Sequence, residues 1–187
     1  MSIQSHFEEA QSILSQFIGQ NANFEQLEKA GQMMVKALKE NHKIISCGNG
    51  GSMCDAMHFA EELSGRYRND RQALAALSIS DPSHMSCVGN DYGYEFVFSR
   101  YLEAVGQAGD VLLAISSSGN SKNILKAIEV AKSKGITVVG LTGKNGGKMA
   151  EVCDIEIRAP YSEYADRAQE IHIKCIHSLI DYIEQHM

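Results

Sequence analysis

Two short stretches carry residue types suited to holding a phosphate. In "LLAISSSGNSKNIL", residues 112–125, an apolar run stops at Ser116, Ser117, Ser118, Gly119, Asn120 and Ser121, and a helical pattern follows at once. Amides at a helix start lack intrahelical partners and carry the positive end of the helix dipole. Serine hydroxyls add donors, and Gly119 lets the backbone come close. Together they make a phosphate cradle. The alternative, a plain N-cap, needs one serine and not four. In "CGNGGSMCDAMHFAEEL", residues 47–63, the design recurs: Gly48, Asn49, Gly50 and Gly51 form a turn and Ser52 opens the next helix. The spacing is not GxGxxG, because Met53 stands where the third glycine would be, and no GK[ST] follows. Two such loops suit a small phosphorylated molecule better than a nucleotide.

Beyond the second loop, His58 and Glu62 lie four residues apart and share a helix face. Such a pair can bind zinc, combine a base with an acid, or be a simple surface pair. On the terminal helix, Ile171, Cys175, Ile176, Leu179 and Ile183 define an apolar face, with Asp166, Gln169, Ile173 and His177 along its border. His172 points into the apolar face and reads as a structural histidine. Periodicity alone does not say which histidine works. A third loop, "GNDYG", holds Asn90 and Asp91; Asx-Gly chemistry favours a turn there, with a ligand contact as the second reading.

The elements that must position these residues follow from hydrophobic rhythm. Residues 2–19 and 24–40 read as amphipathic helices, with Ile13, Leu14, Phe17 and Ile18 marking the apolar face of the first and Leu27, Met34, Val35 and Leu38 that of the second. "NANF" between them reads as a turn with capping residues. Five apolar runs follow: "HKIISC", "ALAALSIS", "DVLLAISS", "ITVVGLTG" and "CDIEIRAP". Helical patterns over 52–63, 84–105 (with a break) and 121–134 separate them, and a last helix spans 163–186. This alternation predicts a parallel sheet covered on both faces. The expected organisation is one α/β domain: an N-terminal helical segment (1–40), a core (42–160) and a C-terminal helix. In such sheets ligands sit beyond the carboxyl ends of the strands, where the loops above fall.

The 187 residues suffice for one sizeable core, with 44% hydrophobic and 21% charged residues. A net charge of −6 with no basic run argues against nucleic acid or an anionic membrane as partner. No apolar run approaches 18 residues, and "MSIQSHFEEAQ" is unlike a signal peptide, so a cytoplasmic location is expected. Five single cysteines without a CxxC pair argue against a disulfide framework. Cys47, Cys153 and Cys175 read as core residues, and only Cys54 stands near a ligand loop.

"SSSGNS" after an apolar strand resembles the sugar isomerase (SIS) domain. "CGNGGSMCDAMHFAEELSGRY", "SCVGNDYGY", "LTGKNGGKMA" and "ADRAQEIHIKCIHSLID" resemble the phosphoheptose isomerases within that family. The likeness spans nearly the whole chain and is weakest over the first 40 residues. It implies a flavodoxin-like fold with a five-stranded parallel sheet, in a homotetramer with active sites at subunit interfaces. It implies conversion of sedoheptulose 7-phosphate to D-glycero-D-manno-heptose 7-phosphate, the first step towards the heptose of lipopolysaccharide core. The family pattern implies one zinc per subunit on His58, Glu62, Gln169 and His177. It implies substrate contacts from Asn49, Gly50, Gly51, Ser52, Glu62, Asn90, Asp91, Ser116, Ser117, Ser118, Ser121 and Gln169. Many relatives carry Ser-Thr-Ser where this chain has Ser116-Ser117-Ser118, and the hydroxyl is kept. Catalysis through an enediol would use Glu62 as proton shuttle and His177 as opposing acid/base, with Asp166 assisting ring opening. The alternative is a non-catalytic tetrameric SIS scaffold that binds the replication initiator protein. Such relatives lack the glutamate and late histidine present here. SIS-domain sensors of sugar phosphates usually carry a DNA-binding module, and none fits in the first 40 acidic-to-neutral residues; an isomerase of another phosphosugar stays open.

Overall fold

The structure is a computed structural model that describes residues 2–187. Helices α1 (Ile3–Ile18) and α2 (Asn21–Lys39) precede strand β1 (Ile44–Gly48). Then come α3 (Gly51–Ser64), β2 (Ala76–Ser78), α4 (Pro82–Asp91), a 3₁₀ turn (Tyr94–Phe96) and α5 (Val97–Val105). The chain continues through β3 (Val111–Ser116), α6 (Lys122–Ser133), β4 (Thr137–Thr142), α7 (Met149–Val152), β5 (Ile155–Arg158) and α8 (Ala165–His186). All strand pairings are parallel, in the order β2-β1-β3-β4-β5. This is the expected five-stranded α/β sheet.

Why the central strands read as unbroken apolar runs is now clear. Side chains of a strand alternate between faces, and here both faces are covered. Ile44, Val111, Leu113, Ile115, Val139 and Leu141 join a core with residues of α1, α2, α3 and α8. Ile45, Cys47, Leu112, Ala114 and Val138 join a second core with α4, α5, α6 and α7. Edge strand β5 alternates instead, with Ile155 and Ile157 inside and Glu156 and Arg158 half-buried. Each large apolar side chain taken fully from water contributes roughly 1.5–3 kcal/mol, so both layers hold the sheet firmly.

Several boundaries differ from expectation. "NANF" is not a turn: α2 starts at Asn21, and the reversal is made at Gly19 and Gln20, whose amides bond back to Ser15 and Phe17. Ile18 is 56% exposed, so the apolar face of α1 narrows to Ile13 and Phe17, with Leu14 partly covered. Asn90 and Asp91 are not in a turn either but in the last turn of α4, and the bend falls at Gly93 with φ +98°. That helix begins earlier than periodicity suggested, because Asp81 caps it by accepting the His84 amide at 2.8 Å and Pro82 opens it. Gly48 belongs to β1 and not to the loop. The short α7 carried too few residues for a periodic signal.

Candidate active site

The strand order turns around between β1 and β3, and the crevice outside the carboxyl ends at such a switch point takes ligands. A cavity of about 330 Å³ opens there. Asn49, Gly50, Gly51 and Ser52 line one side, and Ser116, Ser117, Ser118 and Ser121 the other. Ala165 and Gln169 of α8 close it. Ser121 takes the N-cap position of α6 but makes no side-chain cap bond. Its hydroxyl instead meets Ser116 Oγ at 3.0 Å, and Ser116 Oγ lies 3.4 Å from Ser118 Oγ. The hydroxyls are gathered at the cavity wall and not consumed by capping the helix.

Neighbouring loops brace this wall. Gly119 has φ +63°, and a Cβ there would collide with the Gly146 carbonyl. The segment 143–148 therefore sits tight on the serine loop: Met149 N donates to Gly119 O (3.0 Å) and Lys148 N to Asn120 Oδ1 (3.1 Å). Asn123, in the first turn of α6, exchanges two amide bonds with Asn49, at 2.9 and 2.8 Å, and so joins the two cradle loops. Its sequence position, after four serines, read only as part of a helix start.

A second cluster stands further along α3. His58 Nε2 is 3.0 Å from Glu62 Oε1 and 3.4 Å from His177 Nε2. The two imidazoles meet edge to face at 5.1 Å, and Tyr67 stacks on His177 at 5.7 Å and 21°. Glu62 Oε2 is buried and has no partner. Helices α3 and α8 run side by side: Gly51 abuts Gln169 and His58 meets His177, and beyond the end of α3 Arg68 pairs with Asp181. A Cβ on Gly51 would fall 2.7 Å from the Gln169 amide, so this glycine sets the close approach of the helices. Asp55, one turn before His58, has a carboxyl that burial pushes up to about 6 while the charge of His58 pulls it down.

The structure thus gathers the eight loop residues and Gln169 at one cavity, and His58, Glu62 and His177 at a second point. It does not bring Gln169 to that second point within the chain. Eight residues of helix separate Gln169 from His177, about 12 Å of rise, and the Gln169 amide lies against Gly51. Asn90 and Asp91 are exposed and bond to each other at 2.8 Å, outside the cavity lining. Their neighbour Tyr94 reaches in, its hydroxyl 3.3 Å from Asn49 Oδ1. Asp166 is exposed beside Ala165, and its Oδ1 accepts the Arg167 amide at 2.9 Å. His172 is fully buried; its Nε2 donates to Thr142 O at 2.8 Å, and burial pushes its pKa down to about 4. It is the structural histidine. Burial pushes the Cys175 and Cys153 thiols up to about 12 and Cys47 higher still, so none supplies a thiolate. Cys153 is only partly covered, and Cys54 is exposed.

Two imidazole nitrogens and a carboxylate oxygen within 4.8 Å of one another form a donor set suited to zinc. The Glu62 carboxylate and the facing ring nitrogens of His58 and His177 fit such an ion.

The family model described as the SIS domain matches residues 5–143. The chain is 62% identical over 184 residues to the phosphoheptose isomerase of Cytophaga hutchinsonii, covering 98% of this chain and 96% of that protein. Among solved structures, the phosphoheptose isomerase of Neisseria gonorrhoeae superposes with a TM-score of 0.91 at 37% identity, covering 98% of this chain and 97% of that one. That of Francisella tularensis gives 0.92 at 35% identity, covering 98% and 96%.

Proposed function

The chain belongs to the SIS-domain family and, within it, to the phosphoheptose isomerases, and we propose that this phosphosugar isomerase converts sedoheptulose 7-phosphate to D-glycero-D-manno-heptose 7-phosphate. The observation that carries the reading is the pairing of a Ser/Gly cradle with a carboxylate–imidazole cluster further along the same helix. His58 stands seven residues after Gly51, about 10 Å along the axis. A sugar phosphate held by its phosphate at the cradle extends its reacting end along α3.

Aldose–ketose isomerisation moves a proton between C1 and C2 and a second proton between the two oxygens. In our reading Glu62 Oε2, buried and unpartnered, takes the carbon-bound proton and returns it to the neighbouring carbon. His177, held by the Tyr67 ring on one side and His58 on the other, serves the oxygens. Asp166, at the cavity rim, assists ring opening. Amides of Gly50, Gly51 and Ser52, with the hydroxyls of Ser116, Ser117, Ser118 and Ser121, bind the phosphate and hold the chain in register. Asn90 and Asp91 act on the sugar only if the α4 end closes over the cavity. When bound at His58, Glu62 and His177, zinc would polarise substrate oxygens as a Lewis acid. Gln169 joins that set only through a rearrangement or from a second subunit, in keeping with a homotetramer whose sites lie at interfaces. We assign the reaction to the cytoplasm and to the first step of lipopolysaccharide heptose synthesis. Among the described residues no helix is long and apolar enough to cross a membrane.

The test is turnover of sedoheptulose 7-phosphate by the wild type and by Glu62→Gln, each after chelation and after zinc is restored. Glu62→Gln should lose about 10²–10⁴-fold in kcat, the range for a general acid–base group, with an unchanged fold. Near-normal turnover by that variant would remove Glu62 from the chemistry.

A further inference from the structure

We propose that Arg71, with Glu184, is the positioning residue that sets the helix of Glu62 against the helix of His177, an inference that rests on the acid–base roles given above. Arg71 lies between α3 and β2, outside every loop that carries ligand-binding residue types. Its guanidinium nonetheless closes the end of α3. Nη2 donates to the carbonyl of Glu62 itself at 2.7 Å, and Nη1 to Leu63 O at 2.8 Å and Gln72 O at 3.1 Å. Nε donates to Glu184 Oε1 on α8 at 2.8 Å.

Each of these contacts answers a need of the local structure. The last carbonyls of a helix have no intrahelical partner, and they carry the negative end of its dipole. α3 has no basic residue in its last turn, so the cation comes from the following segment. Glu184 follows His177 by seven residues and shares its helix face. One rigid planar group therefore links the backbone of the proposed base to the helix of its opposing acid/base. The pair is well covered, with side-chain exposures of 14% and 7%. The parallel link Arg68–Asp181 is exposed at 65% and 33%, where ion pairs contribute little. A lysine at 71 could not hold three carbonyls and a carboxylate at once, because it lacks the guanidinium fork.

The experiment measures kcat, KM and zinc affinity, the last by competition with a chromophoric chelator, for wild type, Arg71→Met and Glu184→Gln. Thermal unfolding is run on each, and Glu62→Gln is assayed beside them. Arg71→Met should lower kcat and weaken zinc binding each by about tenfold or more, the scale of outer-shell losses. KM should change by less than about twofold, since the cradle is untouched. Glu184→Gln keeps the cap bonds and loses the charge, so it should move the same way by a smaller factor. If Arg71→Met does not fold, Glu184→Gln decides. Folded variants with wild-type kcat and zinc affinity would overturn the proposal, as would kcat and KM that worsen together with stability. Full activity in Glu62→Gln would instead defeat the functional reading, and the zinc measurement would still judge the brace.

Discussion

The cradle and the carboxylate–imidazole cluster share α3 but are built by different means. The cradle is made by loops: backbone amides, small hydroxyls and glycines that follow directly from strand ends, held by bonds to neighbouring helix starts such as Asn49–Asn123 and Gly119–Met149. The cluster is made by side chains on two regular helices, and its members come from positions 119 residues apart. Loop amides can surround an anion from several directions without exact side-chain placement. Proton transfer needs atoms within hydrogen-bond reach, and the groups proposed for it stand on elements braced by packing and by Arg71. On the proposed reading the difference separates binding from chemistry, and kinetic constants can test that separation.

Substitution on the helix side should act on kcat. His177→Gln should lose about 10²-fold or more in kcat at little change in KM, measured by steady-state turnover. A matching rise in KM would show that the two regions are not separate. Next in size is a joint that serves both. His172 ties α8 to the end of β4, and its pKa is lowered by burial from 6.5 to about 4. The unfolded chain therefore binds this proton first. The stability owed to the neutral ring is complete above pH 6.5 and is lost as pH falls towards 4, about 3 kcal/mol in all. Asp55 works the other way: its raised carboxyl favours the folded form as pH falls through about 6. The difference in unfolding free energy between wild type and His172→Asn isolates the histidine, and the pH slope should be flatter in the variant. A parallel pair of curves would refute this.

The smallest effect belongs to the loop side. Ser121→Ala removes one hydroxyl from the cradle, and a hydrogen bond to a charged group contributes about 1.5–3 kcal/mol. KM should rise about tenfold while kcat stays within a few-fold, and inorganic phosphate should inhibit less well. A loss confined to kcat would move Ser121 out of the phosphate site.

Much of this was legible without coordinates. "VLLAIS" running into "SSGNS" specifies a strand, a turn and a helix start by local chemistry alone, and the structure puts that loop at the cavity. The His58–Glu62 spacing likewise fixes a shared face, and the two side chains do meet. The short stretches misled where a helix overrode turn-forming residues, as at Asn21 and at Asn90–Asp91. Asn123, Tyr67 and Arg71 were not singled out, because each acts on a partner that local periodicity cannot name.

By itself, then, the sequence determined the five strands and the two cradle loops, which depend on residues near in the chain, and its strand–helix alternation implied the parallel sheet. The tertiary structure decided what each late histidine meets. His172 and His177 sit on one helix, and only the packing of α8 over β4 and α3 sends one to the Thr142 carbonyl and the other to His58. It also held Gln169 beside Gly51 and joined Arg71 to Glu184 across 113 residues. The physical reason is range: turn chemistry and helix periodicity act over a few residues, whereas the meeting of two helices is set by the whole core between them.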